Sequence, residues 1–364
     1  MNTASRASPD AWYTEDGPDS DVVLSSRVRV ARNLSGYNFP IAIKSDDAEH
    51  VLSLVFDAFN QLEHPDHYQM VRLSGIDGTG KRILAERGVI EPGTGSEPWR
   101  GVIIRNDGVI SASINIEDHL RIAAFAPGFA LRPLGTLVSG IETEMQKRLR
   151  FSATHDFGYL TSNIMNVGTG IKASTLVCLP GLCLNGLMDR VMREYLAQGF
   201  VIRGYYGGEE GTSLGCLYQL SNASSASGNA ESQIVGIEHA VRKLVEIERK
   251  SRLEALSSSP TTVEDSVFRA IVILKYARFI ALNEAMDLLQ RVRLGVNLGL
   301  ITGVANKELT ALMYRVQSAH IGFVISDGSI IIEGDVRTDE MRMNRIRAMV
   351  IQEILKNADI HERR

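Results

Sequence analysis

Apolar positions along the chain repeat with two different periods. Val51, Leu52, Leu54, Val55 and Phe59 recur at helical spacing and predict a helix over 47–62. The same period predicts helices over 134–149, 185–198 and 231–256. Shorter runs rich in β-branched residues predict strands over 69–73, 101–104, 109–116, 176–180, 201–205 and 214–220. Residues 21–32 read as a strand or extended loop, 75–80 as a loop and 81–87 as a short helix. Strands and helices do not alternate regularly. The expected fold class is therefore α+β, an antiparallel or mixed sheet flanked by helices. After 256 the polar stretch Ser257-Ser258-Ser259-Pro260-Thr261-Thr262 breaks the pattern. Beyond it helices are predicted over 263–276, 282–290, 306–317 and 338–356, with a short strand pair near 322–333. Thr261 or Thr262, with Glu264 shortly after, is the expected cap of the first of these helices. No internal repeat is visible. The domain reading is a flexible segment over 1–20, a larger domain over 21–256, a linker over 257–263 and a mainly helical domain over 264–364.

Composition narrows the class without naming a function. The 364 residues are 44% hydrophobic and 23% charged, which is ordinary for a globular protein of about two domains. A net charge of -4 gives no global field toward nucleic acid or an acidic membrane, so any anion site must be local. No apolar run approaches a membrane span, and the polar first twenty residues show no export signal. Cys178, Cys183 and Cys216 lack C-x-x-C spacing. They argue against a disulfide framework or zinc and for the reducing cytoplasm.

Four segments concentrate chemistry. In Ser25-Ser26-Arg27-Val28-Arg29-Val30-Ala31-Arg32-Asn33, a strand would place Arg27 and Arg29 on one side, where two guanidinium forks can grip a polyphosphate. The plain alternative is a solvated basic edge. Glu117-Asp118-His119-Leu120-Arg121 sets an acidic pair beside a histidine and an arginine, able to position a cation or neutralise phosphate. It could equally be a charged strand end. Residues 161–174, from Thr161 to Ser174, hold glycines whose N–H groups can close on an anion, with Lys172 as a point charge. Arg203-Gly204-Tyr205-Tyr206-Gly207-Gly208-Glu209-Glu210-Gly211 offers close backbone approach and carboxylates for a guanidinium, or is simply an acidic loop.

Together these segments resemble the phosphagen kinase superfamily of ATP:guanidino phosphotransferases, on the side of the bacterial protein-arginine kinases. The first matches S-S-R-[VI]-R-x-A-R-N, and Glu117 to Arg121 matches E-D-H-[LI]-R. Asn166 to Gly170 with Ala173-Ser174 matches N-[VL]-G-T-x-x-R-A-S. Arg203 to Gly207 matches R-G-x-Y-G, and Gln219 to Asn222 matches Q-[IL]-S-N. Order and spacing hold over about 21–254.

The resemblance implies a kinase that moves the γ-phosphoryl group of ATP, with Mg²⁺, to a guanidinium nitrogen of arginine residues in proteins. It implies a nucleotide site from Ser25, Ser26, Arg27, Val28, Arg29, Arg121, Lys172, Ala173, Ser174, Arg203, Gly204, Tyr206 and Gly207. Glu117, with Glu209 or Glu210, would orient and deprotonate the acceptor, and Asn163 and Asp118 would lie on the substrate side. It also implies protein substrates with exposed arginines, a homodimer, a zinc-binding activator and Clp-type proteolysis, and no small helical domain in front. The chain departs from the pattern where acid and thiol are usual. N-E-E-D-H reads Asn115-Ile116-Glu117-Asp118-His119, and T-S-C-P-T-N reads Thr161-Ser162-Asn163-Ile164-Met165-Asn166. Lys172 stands for arginine, Gly88 for a histidine, and Met343-Asn344-Arg345-Ile346-Arg347-Ala348 lacks the first Arg-Asp pair of R-D-x-x-R-[PR]-A. The rival reading is a catalytically impaired pseudokinase that binds ATP or arginine-containing partners.

Two further patterns are decoys. Gly75 to Lys81 fits G-x-x-x-x-G-K, but Arg82 follows where a P-loop needs Ser or Thr. Gly211 to Gly215 fits G-x-S-x-G around Ser213, yet a strand rather than a helix is predicted after it.

Overall fold

The computed structural model describes residues 11–206, 213–326 and 330–361. Its strands are β1 (Val23–Arg32), β2 (Tyr68–Arg72), β3 (Gly101–Arg105), β4 (Ile110–Ile114), β5 (Leu120–Pro127), β6 (Ala153–Thr154), β7 (Gly158–Tyr159), β8 (Ile171–Cys178), β9 (Phe200–Gly204), β10 (Leu217–Asn222), β11 (Ile301–Thr302) and β12 (Asp359–Ile360). Its helices are α1 (Ser45–Asn60), α2 (Gly78–Glu86), α3 (Leu131–Gln146), α4 (Pro180–Leu184), α5 (Met188–Ala197), α6 (Ala230–Ser258), α7 (Pro260–Tyr276), α8 (Leu282–Asn297), α9 (Asn306–Arg315), α10 (Ser318–Ser326) and α11 (Asp339–Ile354). Eight strands form one sheet in the order β2-β3-β4-β5-β1-β8-β10-β9. The pairs β2–β3, β3–β4, β4–β5 and β1–β5 are antiparallel, and β6–β7 is a separate small ladder. The chain divides into two compact units, residues 1–13, 25–174 and 221–239 in one and 14–24, 175–220 and 240–364 in the other.

In the first unit, β1 shows why its sequence folds as it does. Ser26, Val28 and Val30 are buried, while Arg27 and Arg29 between them are partly exposed, the alternation a half-buried strand requires. Helix α1 presents Val51, Leu52, Val55 and Phe59 to the core. Gly101 lets it approach β3, because a Cβ there would lie 2.6 Å from Leu52 Cδ1. Asn115, at φ 55, ties the end of β4 to this helix by donating to the Ala48 and Trp99 carbonyls, each at 2.8 Å. His119 fixes the chain leaving β1. Its Nδ1 accepts from the Leu34 N–H at 2.9 Å, so the proton is on Nε2, which donates to the Asn38 carbonyl at 2.9 Å. The segment 11–20, expected to be flexible, is anchored where Trp12 and Tyr13 are buried and Trp12 stacks on Phe125. Two large aromatics give this otherwise polar stretch enough apolar surface to dock.

The second unit is built on helix packing. Val263, Val267, Ile271 and Leu274 of α7 meet Met286, Leu289 and Val292 of α8 in one buried cluster. Glu248 is fully buried and accepts from the Gly181 and Leu182 N–H groups at 2.8 and 3.0 Å, where α4 leaves its first donors unpaired. Arg252 Nε supplies the opposite charge at 2.7 Å. Arg293 is buried as well, donating to Gln290, Asn306, Thr310 and the Ser20 carbonyl, and burial pulls its pKa down to about 10.

Several sequence expectations change. β5 was not expected, because its apolar run follows directly on the charged motif. β8 begins at Ile171, inside the stretch read as a glycine loop. The helix expected over 185–198 is α5, and the short helix α4 before it, parted from it where Gly186 takes φ 66, was not expected. The strand pair near 322–333 is replaced at its start by α10, whose apolar Phe323-Val324-Ile325 run carries no period to decide the matter. Residues 327–329 lie outside the described residues. The first helix after the polar stretch starts at Pro260 with Ser259 as its cap position, so neither Thr261 nor Thr262 caps it. Only Ser259 separates α6 from α7.

Two stability predictions follow from these buried groups. Glu248→Ala leaves Arg252 and two amide donors uncompensated and should cost about 3–5 kcal/mol in urea unfolding. For His119, burial holds the imidazole neutral and lowers its pKa from 6.5. The unfolded chain then takes up the proton first as pH falls, so His119's share of stability is full above about pH 6.5 and lost below it. Urea midpoints measured from pH 7.5 to 5.5 should fall less steeply in His119→Gln.

Candidate active site

The β1–β5 register assembles a cationic face. Arg27 lies opposite Phe125, Arg29 opposite Ala123, and Ala31 opposite Arg121. Alternate residues share a face, so Arg27, Arg29 and Arg121 all project from the same side of this ladder. Arg27 sits over the Phe125 ring at 5.1 Å from its centroid, a cation–π contact that orients the side chain. Arg32, the third arginine of the motif, turns to the opposite face. It pairs there with Glu142 and stacks on Tyr159 at 3.6 Å, so its role is packing.

Carboxylates surround Arg121. Its Nε donates to Asp118 Oδ2 at 3.0 Å and its Nη1 to Glu91 Oε1 at 3.2 Å, while Nη2 meets the Glu117 carboxylate. Asp118 has no exposed surface, and its other oxygen accepts from Asn33 Nδ2 and the Ser162 N–H, both at 2.8 Å. Burial, then the charge of Arg29, lowers the Arg121 pKa to about 10, which still leaves it protonated at neutral pH. Burial lowers Arg29 too, against the pull of Glu91 and Asp118. Two partly desolvated guanidinium groups that repel each other form a site whose strain a polyanion would relieve. ATP phosphates fit that description. Among the described residues no cluster of three His, Cys, Asp or Glu could hold a metal by itself.

Other expected site residues fall in different places. Ser25 lies on β1 on the arginine side, partly exposed. The Ser26 and Val28 side chains face the other way and are buried, Ser26 Oγ donating to the Gly128 carbonyl at 2.7 Å. Lys172, Ala173 and Ser174 lie on β8, with the Ala173 N–H bound to Asn222 Oδ1 at 2.9 Å. Asp118 is a buried brace, which leaves Glu117, partly exposed, as the acid able to meet a substrate. Asn163 is exposed and caps its own turn, accepting from the Met165 N–H at 3.0 Å. Ile116, which stands at a glutamate of the N-E-E-D-H pattern, packs with Leu73, Ile90 and Val102 in an apolar cluster. Arg203, Gly204 and Tyr206 belong to the second unit, where Gln317 Nε2 donates to the Tyr206 hydroxyl at 2.7 Å. Gly207, Glu209 and Glu210 lie outside the described residues. Sequence reasoning gave no role to Glu91. A carboxylate thirty residues from Arg121 leaves no local spacing signal.

Neither decoy survives. The glycines at 78 and 80 open helix α2, with Gly80 N–H bound by Asp77. Ser213 Oγ donates to the Leu217 carbonyl at 2.5 Å and is followed by a short turn and β10.

Comparison with known proteins gives the family. The ATP:guanido phosphotransferase C-terminal catalytic domain matches residues 50–251, and the protein-arginine kinase McsB C-terminal domain matches 260–364. The protein-arginine kinase of Halalkalibacterium halodurans is 36% identical over 339 residues, covering 93% of this chain and 94% of its own. That of Brevibacillus brevis is 36% identical over 340 residues, covering 92% and 94%. That of Bacillus subtilis is 31% identical over 309 residues, covering 84% and 85%. Among solved structures, lombricine kinase matches with a TM-score of 0.56 at 23% identity, over 68% of this chain and 72% of that one. The substrate-free taurocyamine kinase of Schistosoma mansoni matches with 0.56 at 21%, over 66% and 36%. These two likenesses speak to the fold. With the arginine face, its carboxylate brace and full-length relatives in agreement, the chain belongs to the ATP:guanido phosphotransferase family, on its protein-arginine kinase branch.

Proposed function

We propose that the chain transfers the γ-phosphoryl group of ATP to arginine side chains of proteins, with residues 21–256 carrying the chemistry. The observation that carries this reading is the pairing of Arg29 and Arg121 on one face, with Glu117 at its partly exposed edge. Phosphoryl transfer asks little covalent chemistry of a protein; it needs charge neutralisation and alignment. Arg27, Arg29 and Arg121 would hold the phosphates, joined by Lys172. Mg²⁺ entering with the nucleotide would supply charge neutralisation beside these arginines.

Glu117 then has two tasks in sequence. Before nucleotide arrives it neutralises Arg121. Once phosphate takes over that guanidinium, Glu117 is released to orient the acceptor and accept its proton as the N–P bond forms. An acceptor guanidinium has a pKa above 12, so proton removal must accompany transfer. Glu209 or Glu210, outside the described residues, would stand for the first glutamate of the family's glycine-rich loop. A homodimer, a zinc-binding activator and delivery of modified proteins to a Clp-type protease are further parts of this proposal, suggested by kinship with protein-arginine kinases.

One observation favours a second reading, a pseudokinase that binds nucleotide or arginine-containing partners. Asn163 stands where relatives place a thiol and spends its side chain on a local cap. Incubation with Mg-ATP and an arginine-rich protein, read by phosphoarginine mass spectrometry, separates the two. Wild type should phosphorylate, and Glu117→Gln should lower the rate by about 10²–10⁴ while nucleotide still binds. A blank from both proteins with nucleotide binding intact would favour the pseudokinase.

Glu91 gives a prediction of opposite sign. Its exposed carboxylate competes with phosphate for the buried Arg121, and a pair with one partner open to solvent is worth about 1 kcal/mol. Glu91→Gln should therefore tighten ADP binding by about five-fold in calorimetry. Weaker binding would mean that Glu91 instead helps to seat the nucleotide.

A further inference from the structure

The three cysteines, scattered at 178, 183 and 216 in sequence, meet in the second unit. Strand β8 ends at Cys178, and helix α4 carries Cys183 five residues later. Cys216 closes the short turn that leads into β10. Backbone hydrogen bonds set the spacing. The Leu179 N–H donates to the Cys216 carbonyl at 2.9 Å, and the Cys183 N–H donates to the Leu179 carbonyl at 3.1 Å. The Cys183 and Cys216 side chains are thereby brought together, and the Tyr218 hydroxyl lies 3.7 Å from Cys183 Sγ. Both residues are partly exposed, whereas Cys178 is fully buried.

We propose that Cys183 and Cys216 are a thiol–disulfide exchange site, with Cys183 as the attacking sulfur, Cys216 as the resolving one, and a low-molecular-weight disulfide as the oxidant. The Cys183 thiolate attacks one sulfur of the small disulfide RSSR, whose S–S bond breaks and releases RS⁻ with the electron pair. Cys216 loses its proton to solvent, and its thiolate attacks the Cys183 sulfur, expelling the second RS⁻. Two protein thiols are oxidised to one cystine, and RSSR is reduced to two RSH, which take up the two protons.

The environment assigns these roles. Donation from Cys216, helped by Tyr218 and opposed by burial, holds the Cys183 thiol below its ordinary range. The same contact, together with burial, pushes Cys216 up. Burial pushes Cys178 up to about 12, so it remains an inert thiol. Cys216 takes φ 56, next to Gly215 at φ 64. The Tyr205 N–H donates to the Leu217 carbonyl at 2.8 Å just beyond. A disulfide here would tether α4 to the base of the glycine-rich segment between Tyr205 and Leu217. The exchange site does not depend on the phosphotransfer reading.

The full native chain, incubated with oxidised glutathione, quenched with iodoacetamide and mapped by mass spectrometry, tests this. A Cys183–Cys216 linked peptide is expected, lost on adding dithiothreitol, with Cys178 alkylated only after unfolding. Cys183→Ser should slow thiol loss by about ten-fold or more, because the poised thiolate is gone. Cys216→Ala should stop at a Cys183–glutathione adduct, while Cys178→Ser should leave the link unchanged. Wild type that accumulates the adduct without the link, forms a link through Cys178, or resists oxidation while folded would overturn the proposal.

Discussion

A carboxylate with no access to water must be fully compensated by its neighbours, and Asp118 organises the site around that constraint. One oxygen takes Asn33 from the end of β1 and the Ser162 amide from the loop before β8, and the other takes Arg121 from β5. Three distant stretches of chain are thereby pinned at one point. The site depends on this. Arg121 can stay buried and charged only because Asp118 is behind it, and the arginine face keeps its shape only while Arg121 stays. An acidic residue that could be mistaken for a catalyst is the brace on which the cationic face rests.

The departures from the family pattern have a common physical result. Ile116 has exchanged a charged position for a place in an apolar cluster with Leu73, Ile90 and Val102. Asn163 has exchanged a nucleophile-sized thiol for an amide that satisfies its own turn. Each substitution is locally self-consistent, so neither leaves an unsatisfied group behind. The negative wall is thinned while the positive face is retained. Glu91 and Glu117 now share the neutralisation of Arg121, which ties the charge state of the acid side to that of the phosphate side.

Much of this was legible in sequence because period and motif report local facts. The run of valine and arginine in β1 read as a strand or extended loop, and the two-residue spacing gave Arg27 and Arg29 a common face if it was a strand. The helical spacing in 47–62 gave α1. What failed was non-local or had no period. β5 was hidden because Leu120 to Ala126 follows the motif without a turn signal. The apolar run at Phe323 fits strand or helix equally until it packs beside α11. Arg32 sat in the same motif as its neighbours, and only the parity of the strand sends it to the other face. Glu91 and the three-cysteine cluster arise from contacts across tens of residues, which composition and spacing do not encode. Glu209 and Glu210 were legible as candidates in the sequence alone.

The loop that carries Asn163 is closed at its base. Tyr159 and Gly168 exchange two backbone hydrogen bonds, and a Cβ on Gly168 would lie 2.4 Å from the Ser225 carbonyl. At its tip, Ile164 and Met165 are exposed. Such a loop is an interchangeable cassette. Its tip can drift through many sequences without disturbing the stem, while the stem tolerates almost none. Loss of the family's thiol here is thus a change the scaffold could absorb at little cost to folding, and reversion would be as easy.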